Sequence, residues 1–239
     1  MLNINSRTVR EIVLEMPAAT RLFEKLKIDY CCGGNIPLRD ACFAAGIEVE
    51  RLTELLTDAT LETDENTPDF QKAPLIELIM HILDKHHVYT KSEMPRLETL
   101  LQKVLVAHTT THPELRRVQQ LFLALCADLR PHMFKEEQIL FPYLLELERW
   151  RLKKALRPFS PFGSVNNPIR MMLPEHDNVG ELLRELREAT SDYRVPADGC
   201  FSFQTLYAAL EAFEKDLHQH IHLENNILFP RAIDLEVNG

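Results

Sequence analysis

The sequence predicts an all-α protein: an antiparallel four-helix bundle preceded by a small helical domain. Apolar residues recur at three- and four-residue spacing through long Leu-, Glu-, Arg- and Ala-rich stretches, the signature of amphipathic helices. Alternating Val/Ile/Thr/Tyr runs that would build strands are almost absent, and glycines number only 7. Four of the periodic segments are long and are separated by turn-forming stretches, the pattern of an antiparallel bundle.

In chain order, Thr8 with Glu11 makes a capping-box pattern ahead of Ile12, Val13 and Met16, and Pro17 separates this first helix from Leu22, Phe23 and Leu26. The turn Asp29-Tyr30-Cys31-Cys32-Gly33-Gly34 follows. Pro37 then opens a helix that ends near Gly46, and Glu48 to Leu56 gives another. Residues 1–58 are therefore read as one small domain, the acidic, polar stretch 59–72 as a linker, and 73–239 as the bundle. Its helices are expected at about 73–105, 113–149, 168–190 and 201–234, with Pro-, Gly- and Ser-bearing loops before the last two.

The totals exclude several functions. At 45% apolar and 26% charged, 239 residues can bury a sizeable interior. The formal charge is -9 and the lysines and arginines are dispersed, so no nucleic acid is expected as partner. Charged residues interrupt the first 16 positions and no apolar run reaches about 18 residues, so neither a leader nor a membrane segment is expected. Five cysteines, two of them adjacent, do not form a disulfide framework and point to a reducing, cytoplasmic setting.

A duplication carries the chemistry. His132-Met-Phe-Lys-Glu136-Glu-Gln-Ile-Leu-Phe-Pro142 returns 88 positions later as His220-Ile-His-Leu-Glu224-Asn-Asn-Ile-Leu-Phe-Pro230. Each half then reads as a helical hairpin, with one histidine on its first helix and His-x-x-x-Glu on its second. Histidine and glutamate four apart share a helix face, so both can converge on one point in the core. Imidazole with carboxylate suits iron, and inward-projecting pairs from facing helices are how di-iron bundles are built. A lone His-x-x-x-Glu is more often a solvated pair, but a repeat of it within an eleven-residue match is not. His176 serves the second hairpin; on the first, His81, His86 and His87 compete, and helical phase separates them poorly. His218 and His222 point away from His220 and are expected at the surface, and His108 and His112 beside a Thr-rich turn are not expected as ligands.

These motifs resemble the repair-of-iron-centres family of hemerythrin-like di-iron proteins, the YtfE, ScdA or DnrN type. The resemblance covers nearly the whole chain: the Asp29–Gly34 turn, 132–142, Glu175-His176-Asp177 with Gly180-Glu181-Leu182-Leu183, and 220–232. It implies a hemerythrin-like bundle binding two iron ions, bridged by oxo or hydroxo, with ligands His86, His132, Glu136, His176, His220 and Glu224. It also implies a cytoplasmic homodimer, a repair protein rather than an enzyme. Its task would be to restore iron-sulfur clusters damaged by oxidative or nitrosative stress, by donating iron to the damaged proteins. Adjacent Cys31 and Cys32 cannot easily hold one metal or pair with each other. The glycines after them suggest exposure, hence a redox or iron-transfer contact with a client or the second subunit. Cys42, Cys126 and Cys200 are expected as core or surface thiols. The alternatives are a di-iron nitric oxide or peroxide reductase and a hemerythrin-like oxygen or nitric oxide sensor.

Overall fold

The computed structural model describes residues 7–60, 68–152 and 156–238. Within them the chain is helical, with a single isolated bridge between Thr8 and Pro37 as its extended pairing. Four short helices come first: α1 (Val9–Glu15), α2 (Ala19–Leu26), α3 (Leu38–Ala45) and α4 (Val49–Thr60). Thr8 forms the full capping box: its hydroxyl accepts from the Glu11 N–H at 3.2 Å, and the Glu11 carboxylate accepts from the Thr8 N–H at 2.9 Å. Helices α2 and α3 end on left-handed residues, Lys27 at φ 58° and Gly46 at φ 67°. Val9, Ile12, Phe23, Leu38, Leu52 and Leu56 bury one another in an apolar cluster of their own.

The bundle follows as α5 (75–108), α6 (115–151), α7 (Asn166–Ala189) and α8 (201–238). Helix α5 lies against α6 and α8, and α7 lies against the same two, closing a four-membered ring. Three of these helices are continuous but change pitch: π-turn segments occupy Ile82–His87 in α5, Glu136–Leu140 in α6 and Leu223–Leu228 in α8. In each, an N–H reaches five residues back, Val88 to Leu83, Phe141 to Glu136 and Phe229 to Glu224. One extra residue in a turn delays the helical phase by about 100°. Along each bundle helix the apolar core falls into two groups. One contains Leu97, Phe122, Leu183 and Phe213, the other Ile79, Leu140, Ile169 and Leu228. A polar layer lies between them.

The N-terminal helices dock on the bundle through that layer's edge. Pro230 has no N–H to give the carbonyl of Asn226, four residues before it. Arg10 takes this free carbonyl at 3.2 Å. The Asn226 amide donates to the carbonyl of Tyr30 at 2.9 Å and lies 2.8 Å from His222 Nδ1. Lys27 pairs with Asp192 at 2.7 Å. Of the expected linker, 61–67 lie outside the described residues, but Phe70 at its end is buried against the bundle and its carbonyl accepts from Arg231 at 2.6 Å.

Two expectations are corrected here. His218 and His222 are not at the surface: His218 Nδ1 pairs with Glu24 at 2.8 Å and His222 packs edge-on to Tyr30 at 5.4 Å, because the N-terminal helices cover that face. Cys31 is not exposed either; it is 4% accessible and belongs to the bundle's own apolar core. Glycines at 33 and 34 serve close approach rather than flexibility. A Cβ on Gly33 would come within 2.9 Å of the Asp29 carboxylate, and one on Gly34 within 3.0 Å of the Tyr30 carbonyl. Replacing Asn226 with alanine strips partners from both Tyr30 and His222, which should lower stability by about 1–3 kcal/mol in urea unfolding.

Candidate metal centre

The polar layer consists of fully buried ionisable side chains converging from all four bundle helices. His87, Glu136, His220 and Glu224 form one group and His132, Glu136, His176 and Glu224 a second, in each of which one donor atom per residue lies within 4.8 Å of the others. The two groups share both carboxylates. Glu136 turns Oε1 to His132 Nε2 (3.2 Å) and Oε2 to His87 Nε2 (3.4 Å). Glu224 turns Oε1 to His220 Nε2 (3.0 Å) and Oε2 to His176 Nε2 (3.3 Å). The Nε2 atoms within each histidine pair are 3.1 Å apart for His87 and His220 and 2.9 Å for His132 and His176. Each group therefore draws one histidine from each hairpin, α5 with α8 and α6 with α7, rather than closing within a hairpin.

Five of the six residues expected as ligands meet here; the sixth, His86, does not. Its place is taken by His87, while His86 pairs through Nδ1 with Asp216 at 3.0 Å. The cause is the π-turn at Ile82–His87. Extending the upstream stripe Leu75, Ile79, Ile82 at 3.6 residues per turn lands on 86, but the extra residue in the turn carries the stripe on to 87. The buried residues beyond it, Thr90, Met94, Leu97 and Leu101, keep the delayed phase. Counting backward from them finds His87, and so does the repeat: His87 precedes His176 by 89 positions, closer than His86 to the 88 of the other pairs.

Behind the centre, His87 Nδ1 meets Glu137 at 2.7 Å, His132 Nδ1 meets Glu175 at 2.7 Å and His176 Nδ1 meets the Asn225 side-chain oxygen at 2.7 Å. A carboxylate or amide oxygen can only accept, so these rings donate from Nδ1 and turn Nε2 inward, the nitrogen that a metal would take once it carries no proton. Sequence reasoning passed over these supporting residues, although Glu137 and Asn225 each follow a repeat glutamate and Glu175 adjoins His176. Cys31 and Cys32 stand beyond Asn225, whose amide donates to the Cys31 carbonyl at 3.1 Å, and the Cys32 thiol donates to the His176 carbonyl at 3.4 Å. Asp29 fixes this turn by accepting from the N–H groups of Cys31, Cys32 and Gly33 at 2.8–2.9 Å.

Residues 78–232 match the family described as the hemerythrin HHE cation-binding domain. The chain belongs to this family. Residues 5–60 match the N-terminal domain family ScdA_N, a domain of unknown function also called DUF542. A "Probable iron-sulfur cluster repair protein" of Haemophilus influenzae is 33% identical over 94% of this chain and 95% of its own length. Proteins named "Iron-sulfur cluster repair protein YtfE" are similar: that of Edwardsiella ictaluri at 33% over 95% of this chain and 96% of its own, that of Dickeya chrysanthemi at 34% over 97% and 99%.

The electrostatics of the HHE domain fit a cation. Burial opposes charge on both glutamates, and the repulsion of Glu224 adds to it at Glu136, yet the facing imidazoles hold both below the usual carboxylate range. Burial likewise disfavours a charged His132, but Glu136 outweighs it and carries the imidazole up to about 9. Glu136 Oε1 and Oε2 and Glu224 Oε2 are buried with no hydrogen-bond partner among the described residues. Orphaned buried carboxylate oxygens are costly unless a cation faces them. Protons held on His132 must leave when a metal binds, so loading at pH 7 should acidify a weakly buffered solution, and affinity should fall as the pH is lowered.

Proposed function

We propose that this chain repairs iron-sulfur clusters damaged by oxidative or nitrosative stress, by donating iron from a di-iron centre held by His87, His132, His176, His220, Glu136 and Glu224. The observation that carries the reading is the pair of four-residue groups sharing two carboxylates. Two positions spanned by two bridging glutamates suit two irons, with an oxo or hydroxo bridge as further ligand. Relatives of nearly equal length are named for cluster repair, which supports the same task here. No helix among the described residues is long and apolar enough to cross a membrane. The proposed setting is the cytoplasm, where the chain would act as a homodimer on damaged cluster proteins.

Two ferrous ions bring more positive charge than Glu136 and Glu224 cancel. Carboxylate and imidazole donors would hold the more highly charged ferric ion more tightly than the ferrous one, so a chelator should extract iron faster from the reduced protein than from the oxidised one. Cys31 and Cys32 are the transfer candidates, beside the His176 edge. The Cys32 thiol next to it and its own burial push the Cys31 thiol well above its ordinary range, so it rests protonated and would have to be uncovered to act. Changing both cysteines to serine should leave iron content near wild type and abolish reactivation of a damaged cluster enzyme; full reactivation would return them to a structural role. The test of the reading itself is iron quantification of the purified protein followed by reactivation of such an enzyme. Zinc alone at one per chain, in protein from iron-replete cells, would refute it. Turnover of nitric oxide or peroxide with a reductant would instead favour a reductase, and a reversible oxygen adduct a sensor.

A further inference from the structure

The two halves of the bundle supply acceptors to their histidines by one scheme, and the scheme has a gap. His87 and His176 give Nδ1–H to Glu137 and Asn225, the residue after each repeat glutamate. His132 gives its own to Glu175, the residue before His176. The fourth histidine, His220, is 1% exposed, and its Nδ1 has no partner among the described residues. In the first hairpin the place corresponding to Glu175, immediately before His87, is filled by His86. That ring lies parallel to the ring of His220, centroids 5.7 Å apart, and its Nδ1 is committed to Asp216 Oδ1 at 3.0 Å. It cannot also do what Glu175 does.

Asp216 keeps its other oxygen, Oδ2, buried and unpartnered. It stands four residues before His220 on α8, so the two side chains share one face of the helix. His220 Nε2 is engaged by Glu224 Oε1 at 3.0 Å, which leaves Nδ1 as the ring nitrogen open to an acceptor such as Asp216 one turn earlier.

We infer that Asp216 is the positioning residue for His220, with Oδ1 fixed by His86 and Oδ2, unpartnered like His220 Nδ1 in this structure, as the acceptor that the Nδ1–H of His220 takes up when a metal is bound. The inference rests on the metal-centre reading above. Metal-binding imidazoles almost always give their second N–H to such an acceptor, and losing it typically weakens binding 10- to 100-fold. The adjacent His86 thus contributes to the centre without touching it: it replaces the missing glutamate indirectly, by holding an aspartate from the next helix.

The experiment loads the full chain with Co²⁺, as a paramagnetic substitute for iron, and follows chelator competition together with the shifted, exchangeable imidazole N–H proton signals. Wild type should bind two Co²⁺ and show four such signals. Asp216→Ala should bind one Co²⁺ about 10- to 100-fold more weakly, leave the other near wild type, and lose the His220 signal to exchange with water. Asp216→Asn, which keeps one acceptor oxygen, should retain the signal at a changed position with a smaller loss of affinity, and serves in place of the alanine variant should that fail to fold. Four unchanged signals in either variant would overturn the inference, as would equal weakening of both Co²⁺ ions with the His220 signal in place. Wild-type protein that takes up no Co²⁺ would overturn the metal-centre reading, and this inference with it.

Discussion

Replacing Glu136 or Glu224 with alanine should remove most of the iron from both positions at once, taking the chain from about two irons to well below one. Each carboxylate turns one oxygen toward each histidine pair, so its loss removes a donor from two metals together. A histidine replacement removes a donor from one. The vacated interior would also offer incoming cations a single carboxylate, and burying that much uncompensated positive charge is unfavourable. Iron analysis of protein purified in parallel with His112→Ala, whose partners Glu114 and Asp198 lie at the loop end of the bundle, checks this. Loss confined to one iron would show that the glutamates do not bridge.

The second large effect separates two neighbouring histidines. His87→Ala should retain about one iron per chain, because it deletes a donor from the His87, Glu136, His220, Glu224 group. His86→Ala should still fill both positions at saturating iron, with a weaker hold on the one bound by His220. Titration of metal-free protein with ferrous iron resolves stoichiometry from affinity. The opposite ranking, with His86→Ala losing an iron outright, would restore His86 as the ligand and place the π-turn elsewhere in α5.

That pair shows where reading from sequence stops. Spacing within a regular helix identified His132 with Glu136 and His220 with Glu224, since four residues on any α-helix return to the same face. It could not fix the first-helix histidine, because the choice between 86 and 87 depends on whether one turn carries an extra residue. Nothing in Ile82–His87 marks a π-turn locally: the next proline, Pro95, is eight residues beyond it, whereas Pro142 and Pro230 closely follow the other two π-turns. The delayed stripe from Thr90 to Leu101 was the available signal. A resemblance transferred by position could not supply what a one-residue offset decides.

By itself the sequence determined the all-α class, the four bundle helices to within a few residues, the capping box at Thr8, the helix end at Gly46 and five of the six side chains that meet in the buried polar layer. All of these follow from local periodicity, caps and a repeat, which act over one or two turns of chain. Tertiary structure alone decided which histidines pair in the polar layer, that Glu137, Glu175 and Asn225 support them from behind, and that Cys31 and His222 are buried and His218 partly covered. These facts concern which face of one helix meets another. The N-terminal helices cover a surface that looks polar in sequence, and its groups are satisfied by partners as far away as Tyr30 and Glu24. A buried polar group must find its partner somewhere, but only the packing of the whole chain says where.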